Sequence, residues 1–337
     1  MNILFTCVGR RNYLLNYLRE VLQPEDKIYA TDMQATAPGM ADADQAIVVP
    51  SIYDASYIDA LVDIVRMHHI SGIISLNDLE LPILSAHRAD LEAYGAKLIV
   101  SSQEAIDITF DKYRTTQFLT EAGLNTPLTF IDKKEFDKAL QTGAIQLPIV
   151  LKPRWGSASI GIEFTQTPEE LDLVDRLSRM KLLRTILGKQ SEKELDGAML
   201  YQELLPGKEY GMDVLNDLDG NYVGTFVREK LSMRAGETDK AVSVIDPRFE
   251  EIGQTISRNL RHVGNLDCDI MEKEGKLYVL EMNARFGGGY PFSHEAGARG
   301  IACYYEWLKG NKEVGSYLNY RAGLTSVKCD RLIHIKK

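Results

Sequence analysis

Five short apolar runs, at residues 3–7, 27–31, 46–49, 72–75 and 97–100, punctuate the first 110 residues of the chain. Stretches of helical period separate several of them, notably residues 13–22 and 57–68. Strands that alternate with helices in this way predict a parallel sheet with helical crossovers. Ligands of such sheets lie beyond the C-terminal ends of the strands. Those ends carry Gly9, Arg10 and Arg11, then Asp32, then Asn77, Asp78 and Glu80. Gly9, Arg10, Asn77 and Glu80 are therefore candidate substrate residues. The first loop has one glycine where a dinucleotide fingerprint needs three, so NAD chemistry is not expected. Arg10 and Arg11 are equally readable as solvated helix-start residues or as binders of an anion.

A second feature lies near the other end. The apolar run from Leu277 acquires Glu281, Asn283 and Arg285 and then Gly287, Gly288 and Gly289. Alternate residues of a strand share a face, so one face presents two oxygen donors suited to Mg²⁺ and one cation suited to a phosphoryl group. Upstream, Asn265 to Met271 reads as the partner strand of a hairpin around Gly275. An odd loop centred on Gly275 sets Asp269 directly across from Glu281. A two-residue Glu274-Gly275 turn would shift the register by one and send Asp269 to the other side. The odd loop is the expectation, since it brings two carboxylates and an amide to one point. A metal-free hydrogen-bonded network is the alternative for the same three residues.

The chain has 337 residues and a net charge of −9, with 45 % hydrophobic and 26 % charged residues. That length suggests two or three subdomains, and the composition suits a soluble globular protein. The charge leaves no basic excess to neutralise nucleic-acid phosphates. Cys7, Cys268, Cys303 and Cys329 lack zinc-ligand spacing and read as reduced thiols of a cytoplasmic protein. No apolar run approaches the ~20 residues of a membrane span. The strand-like start at Asn2 is not that of a signal peptide.

Between these features the chain offers weaker signals. Residues 102–123 read as one helix interrupted at Asp111-Lys112 and stopped by Gly123. A lone helix lysine such as Lys112 is ordinarily solvated. Lys152 closes a β-branched strand and is followed by Gly156, Ser157, Ser159 and Gly161, a small-residue loop able to wrap polyphosphate or simply to turn a hairpin. Residues 166–196 read as a surface helix with Leu171, Val174, Leu177, Leu182 and Ile186 on one face. Gln202, Glu203 and Leu204 close a strand before Glu209. Arg228, Lys230 and Arg234 place cations on a later strand and its loop.

Taken in order, these segments resemble the ATP-grasp superfamily, closest to the single-module ligases that are similar to the carbamoyl-phosphate synthetase large chain. The resemblance implies an ATP-grasp fold of mixed α/β and α+β class. It would comprise an N-terminal Rossmann-like parallel-sheet domain (1–110), a lid subdomain (111–204) and a C-terminal antiparallel-sheet subdomain with the metal site (205–337). It implies ATP and Mg²⁺ (or Mn²⁺) as cofactors. Lys112, Lys152 and the loop Gly156, Ser157, Ser159 and Gly161 would hold phosphates. Gln202, Glu203 and Leu204 would read adenine, and Glu209 the ribose. Asp269, Glu281 and Asn283 would be metal ligands, while Arg285, with Lys230 or Arg234, would steady the transferring phosphoryl group. Gly288 and His294 join the substrate candidates, His294 as a general base or as a structural histidine. The implied reaction is ADP-forming ligation of a carboxylate to an amine, or to another nucleophile, through an acyl phosphate. A regulatory ATP- or metabolite-binding protein is the alternative. The expected partners are small-molecule substrates and a second copy of the chain, not nucleic acid or membrane.

Overall fold

The structure, a computed structural model, describes residues 1–156 and 161–334. Strands β1 (Asn2–Thr6), β2 (Lys27–Asp32), β3 (Gln45–Val48), β4 (Ile70–Ser75) and β5 (Lys97–Ile99) form an all-parallel sheet in the order β3-β2-β1-β4-β5. The order reverses at β1, so β1 and β4 flank a switch point where a crevice opens beyond their C-terminal ends. Ile3, Leu4 and Phe5 are wholly buried because helices cover both faces of the sheet.

Residues 102–123 form two helices rather than one. Asp111 leaves the helical region at φ −98°, ψ 104°, and its carboxylate caps the second helix by accepting from the backbone N–H groups of Tyr113 and Arg114 at 3.0 and 3.3 Å. A four-stranded sheet follows, built from β6 (Thr129–Phe130), β7 (Ile149–Pro153), β8 (Glu163–Thr165) and β9 (Met199–Glu203) in the order β6-β9-β7-β8. The helix Pro168–Leu182 packs through Leu171 and Leu182, but Leu177 and Ile186 are exposed, against expectation. Residue 186 lies beyond the end of that helix, so its helical spacing does not carry it to the buried stripe.

The third sheet holds β10 (Lys208–Asn216), β11 (Tyr222–Arg234), β12 (Glu237–Val244), β13 (Asn265–Lys273), β14 (Lys276–Asn283) and β15 (Thr325–Val327), ordered β14-β13-β10-β11-β12-β15. Strict alternation splits its residues between two faces. Met212, Val214, Val227, Leu266, Cys268, Ile270, Val279 and Met282 fill the apolar face. The helix Pro247–Leu260, capped by Asp246, covers part of that face with Phe249, Ile256 and Leu260. Each such side chain contributes roughly 1.5–3 kcal/mol on burial. The opposite face is polar and carries the candidate site.

The β13–β14 connection is the two-residue turn, not the expected odd loop. Glu274 and Gly275 both have positive φ (52° and 76°), the geometry of a tight hairpin turn, and Lys273 pairs with Lys276. Continued unbroken, that register would have set Asp269 opposite Leu280. A β-bulge intervenes: Ile270 pairs with Val279 but Asp269 pairs with Glu281, leaving Leu280 as the extra residue. The bulge brings Asp269 back to the face of Glu281.

Candidate active site

Cross-strand pairing assembles the polar face row by row. Glu209, Gly211 and Asp213 of β10 stand beside Met271, Asp269 and Asp267 of β13, and Asp269 and Asp267 stand beside Glu281 and Asn283 of β14. On the other side of β10, Gly211 faces Arg228 of β11. Gly211 leaves a gap that Arg228 fills: a Cβ there would lie 2.7 Å from the guanidinium carbon. Through that gap Arg228, 1 % exposed, reaches Asp213 at 2.5 Å and Asp267 at 2.8 Å. Arg228 is thus a buried clamp rather than a free cation. Two positions on, Lys230 bonds Glu209 at 2.7 Å and Asp269 at 2.6 Å.

Two further lysines arrive from outside this sheet. Lys112 opens the helix Lys112–Glu121 and, against expectation, is buried. Its ammonium donates to the Gly156 carbonyl and lies 3.6 Å from Glu281. Its place is set by a pair 43 residues apart in sequence, Asp111 and Arg154. Arg154 Nε donates to both Asp111 oxygens at 2.9 Å, and Lys112 N–H donates to the Arg154 carbonyl at 3.1 Å. Lys152, on the same strand end, is 5 % exposed. Burial draws its pKa down to about 8, with Lys112 adding to the fall and Glu281 and Asp269 opposing it.

The electrostatics of the acids fit a hard divalent cation. Burial, reinforced by Glu281 and Asp267 and opposed by Lys230, pushes Asp269 up to about 6. Glu281 goes the other way: burial alone would raise it, but Lys112, Lys152 and Lys230 together hold it below its ordinary value. Among the described residues no three acids, histidines or cysteines gather as a metal cluster. The candidate set is two carboxylates and an amide, all oxygen donors, with room left for other oxygen ligands of Mg²⁺.

Arg285 lies just past β14 and is 5 % exposed in its side chain. It bonds Asp78 at 2.6 Å and Asp267 at 3.2 Å, tying the end of β14 to the loop after β4. Arg234 is not brought to this cluster. It is exposed on the β11–β12 hairpin, pairing with Asp239 at 2.9 Å and Asp330 at 2.6 Å. Gln202 is buried in β9, donating to Thr129 at 2.8 Å, Glu203 pairs with Lys273 at 3.0 Å, and Leu204 follows in the link to β10. Ser157 and Ser159 lie outside the described residues, between Gly156 and Gly161.

The substrate candidates divide. Gly9 N–H donates to Asp32 at 2.9 Å, Asn77 accepts from Leu79 N–H at 3.0 Å, and Arg10 is exposed. Glu80 is fully buried; it accepts from Thr6 at 2.8 Å, Ser75 at 2.5 Å and Tyr57, and burial raises its pKa. Its oxygens bind the sheet together rather than a ligand. Gly288 packs against Glu237. His294 is buried and stacked on Tyr17 at 3.6 Å, and desolvation lowers its pKa to about 3. That setting is a structural histidine's, since a ring so weakly basic is a poor general base at neutral pH.

A family model described as an ATP-grasp domain matches residues 109–289, more than half of the chain. The chain belongs to the ATP-grasp family. Residues 3–99 match a model described as a PylC-like N-terminal domain. ATP with Mg²⁺ is the cofactor pair of an ATP-grasp protein, in accord with the donor set above. The carbamoyl phosphate synthase large chain of Pseudothermotoga lettingae is 23 % identical over 283 residues, covering 81 % of this chain and 24 % of that one. The chain spans about a quarter or less of the length of the curated relatives it matches. Among solved structures, a biotin carboxylase complex from Campylobacter jejuni superposes with a TM-score of 0.73 at 17 % identity, covering 96 % of this chain and 74 % of that one. The L-amino acid ligase of Bacillus licheniformis gives 0.70 at 17 % identity, with coverage of 91 % and 75 %. These two likenesses establish the fold. Among the described residues no helix is long and apolar enough to cross a membrane.

Proposed function

We propose that this chain is an ATP- and Mg²⁺-dependent ligase that activates a carboxylate as an acyl phosphate and passes it to an amine, releasing ADP and phosphate. One observation carries the reading: three lysines from three separate elements, Lys112, Lys152 and Lys230, converge on the Asp269–Glu281 pair. Phosphoryl transfer needs in-line positioning and neutralised charge more than a covalent protein group. Lys112 and Lys152 bind phosphate oxygens, and Lys230 keeps Asp269 and Glu209 in place. Asp269, Glu281 and Asn283 hold the metal, which when bound neutralises charge on the phosphates. Arg285, fixed by Asp78 and Asp267, orients a guanidinium toward the acceptor side.

The names of the relatives support the carbon–nitrogen outcome, since one curated match is a carbamoyl phosphate synthase chain and one structural neighbour is an amino acid ligase. The test is ADP release from Mg²⁺-ATP across a panel of small carboxylates with and without amines, with hydroxylamine trapping of the acyl phosphate. A carboxylate that stimulates ADP release and yields a hydroxamate is the expected result. ATP binding without stimulation by any acid would favour the regulatory alternative instead.

A further inference from the structure

The crevice at the switch point of the parallel sheet holds a cation that the phosphate-handling residues do not use. Arg11 follows β1 and precedes the helix Asn12–Arg19, whose first turn has no acidic residue and no side-chain cap. The Arg11 side chain is half-buried and donates to the Leu76 carbonyl at the end of β4. Among the described residues no carboxylate stands within ion-pair distance of it. A guanidinium has five N–H donors in a rigid fork, and a single carbonyl leaves most of them unmet.

A second guanidinium acts on it. Burial pulls the pKa of Arg11 down and proximity to Arg285 adds to the fall, with Tyr13, Asp78 and Glu237 opposing it. Arg285 has already taken Asp78 and Asp267 as partners, so those acids are committed. Across the crevice lies the Gly287–Gly289 loop, held to this side by Tyr13, whose hydroxyl donates to the Gly287 carbonyl at 3.1 Å. A Cβ on Gly288 would come within 2.8 Å of the Glu237 carboxyl carbon, so the loop backbone lies close against that side chain. Glu237 in turn is paired with Lys328 at 3.0 Å. Arg11, near a second guanidinium and with no acid of its own among the described residues, thus stands in the position where open α/β sheets bind ligands.

We propose that Arg11 anchors a carboxylate that does not react, belonging to one of the two substrates. This rests on the ligase reading and narrows it. The Asp269–Glu281 cluster has three lysines of its own for the phosphoryl end, and the Arg285–Asp78 pair ties down the boundary between that cluster and Arg11. The substrate pair therefore includes either a dicarboxylic acid, with one carboxylate phosphorylated and the other on Arg11, or an amine that is itself an amino acid.

The experiment compares the full chain with Arg11→Gln and Arg11→Lys. ADP release is measured with dicarboxylic acids against their monoamides, and with amino acids against their carboxamides as the amine. Acid binding without turnover is read from the thermal shift. The parent should prefer the free carboxylate in one of the two arms, which identifies its source. In Arg11→Gln the KM for that partner should rise on the order of tenfold to a hundredfold, as for loss of a charge-assisted pair. Arg11→Lys should fall between, and the KM for ATP should stay unchanged in both, which also shows that the variants fold. Turnover with no Arg11-dependent preference overturns this inference while sparing the ligase reading. Arg11-dependent acid binding without any ADP release overturns the ligase reading instead. Absence of Arg11-dependent acid binding in every arm overturns the inference outright.

Discussion

Replacing Lys152 with methionine should make the ligand-free protein more stable and the enzyme worse. The Lys152 ammonium is buried, and among the described residues it has neither a hydrogen bond nor an ion pair. Burial moves its pKa from the ordinary 10.5 to about 8. At about 1.4 kcal/mol per pKa unit, that drop represents a cost of about 3 kcal/mol for keeping the charge in the folded state. Methionine fills a similar volume with a flexible apolar chain and carries no such cost. The attraction to Glu281 is already counted in that shift, and imperfect packing of the methionine reduces the gain, so the net stabilisation should be about 1–3 kcal/mol near neutral pH. The sign with pH follows from linkage. Between about pH 8 and 10.5 the unfolded chain holds the Lys152 proton and the folded chain has lost it, so the parent gains stability as pH rises through that window. The advantage of K152M should therefore be largest below pH 8 and should fade toward pH 10.5. Urea denaturation of both chains without nucleotide, repeated across this pH range, measures it, and ATP titration gives the functional loss. A K152M chain that is less stable at neutral pH, or whose advantage grows with pH, would refute the reasoning, as would undiminished affinity for ATP.

Glu281→Gln keeps the size and one oxygen donor of the side chain but removes the charge facing the lysines. Its Mg²⁺-dependent ADP release should fall by about 10²-fold or more, and full turnover would remove Glu281 from the metal assignment. Gly211→Ala would drive a methyl group into the Arg228 guanidinium, which lies 2.7 Å from the position of that Cβ. It should cost about 1–3 kcal/mol in urea denaturation, and an unchanged midpoint would show that the Arg228 clamp can shift freely. His262 and His294 are buried, and desolvation lowers them to about 4 and about 3. From about pH 6.5 downward the unfolded chain binds protons that these rings refuse, so each should remove about 1.4 kcal/mol of stability per pH unit until its folded pKa is reached. Denaturation midpoints that hold steady from pH 6.5 to 4 in the parent would contradict this.

What could be read in advance follows the range of each cause. The parallel sheet was legible because strand and helix periods are local. The polar run after Leu277 was legible because an apolar strand that turns polar on one face is conspicuous in one dimension. The pairing of Asp269 with Glu281 was anticipated, but by way of the wrong turn. Leu280 is an ordinary apolar residue, and nothing in its identity announces that it is the extra residue of a bulge. The burial of Lys112 was not legible, because it depends on Asp111 and Arg154 meeting across 43 residues. Asp213 and Asp267 carry no mark in the sequence for a similar reason, and Asp78 reads there only as a strand-end residue. Each acquires its meaning only when the fold sets it beside Arg228 or Arg285.

Those ion pairs separate two kinds of cation on the polar face. The arginines are committed: Arg228 spans Asp213 and Asp267, Arg285 spans Asp267 and Asp78, and Arg154 grips Asp111 through more than one nitrogen. Planar forks held at two or more points do not exchange partners cheaply, and breaking a buried pair of this kind costs about 3–5 kcal/mol. The lysines are held differently. Lys230 and Lys112 rest as single ammonium groups against Asp269 and Glu281, the two oxygens-only donors best placed for a divalent cation, while Lys152 has no ionic partner within reach among the described residues. An ammonium on a flexible four-carbon stem can move a few ångströms from a carboxylate to a phosphate without disturbing the backbone. The face thus combines a rigid frame of arginines with Lys112 and Lys152, whose ammonium groups can follow the charge of a bound nucleotide, while Lys230 bridges Glu209 and Asp269 between them. Exchanging the two kinds, with lysine at 228 or arginine at 230, should damage the frame in the first case and nucleotide handling in the second. Denaturation and ATP titration on the same two variants would tell the losses apart.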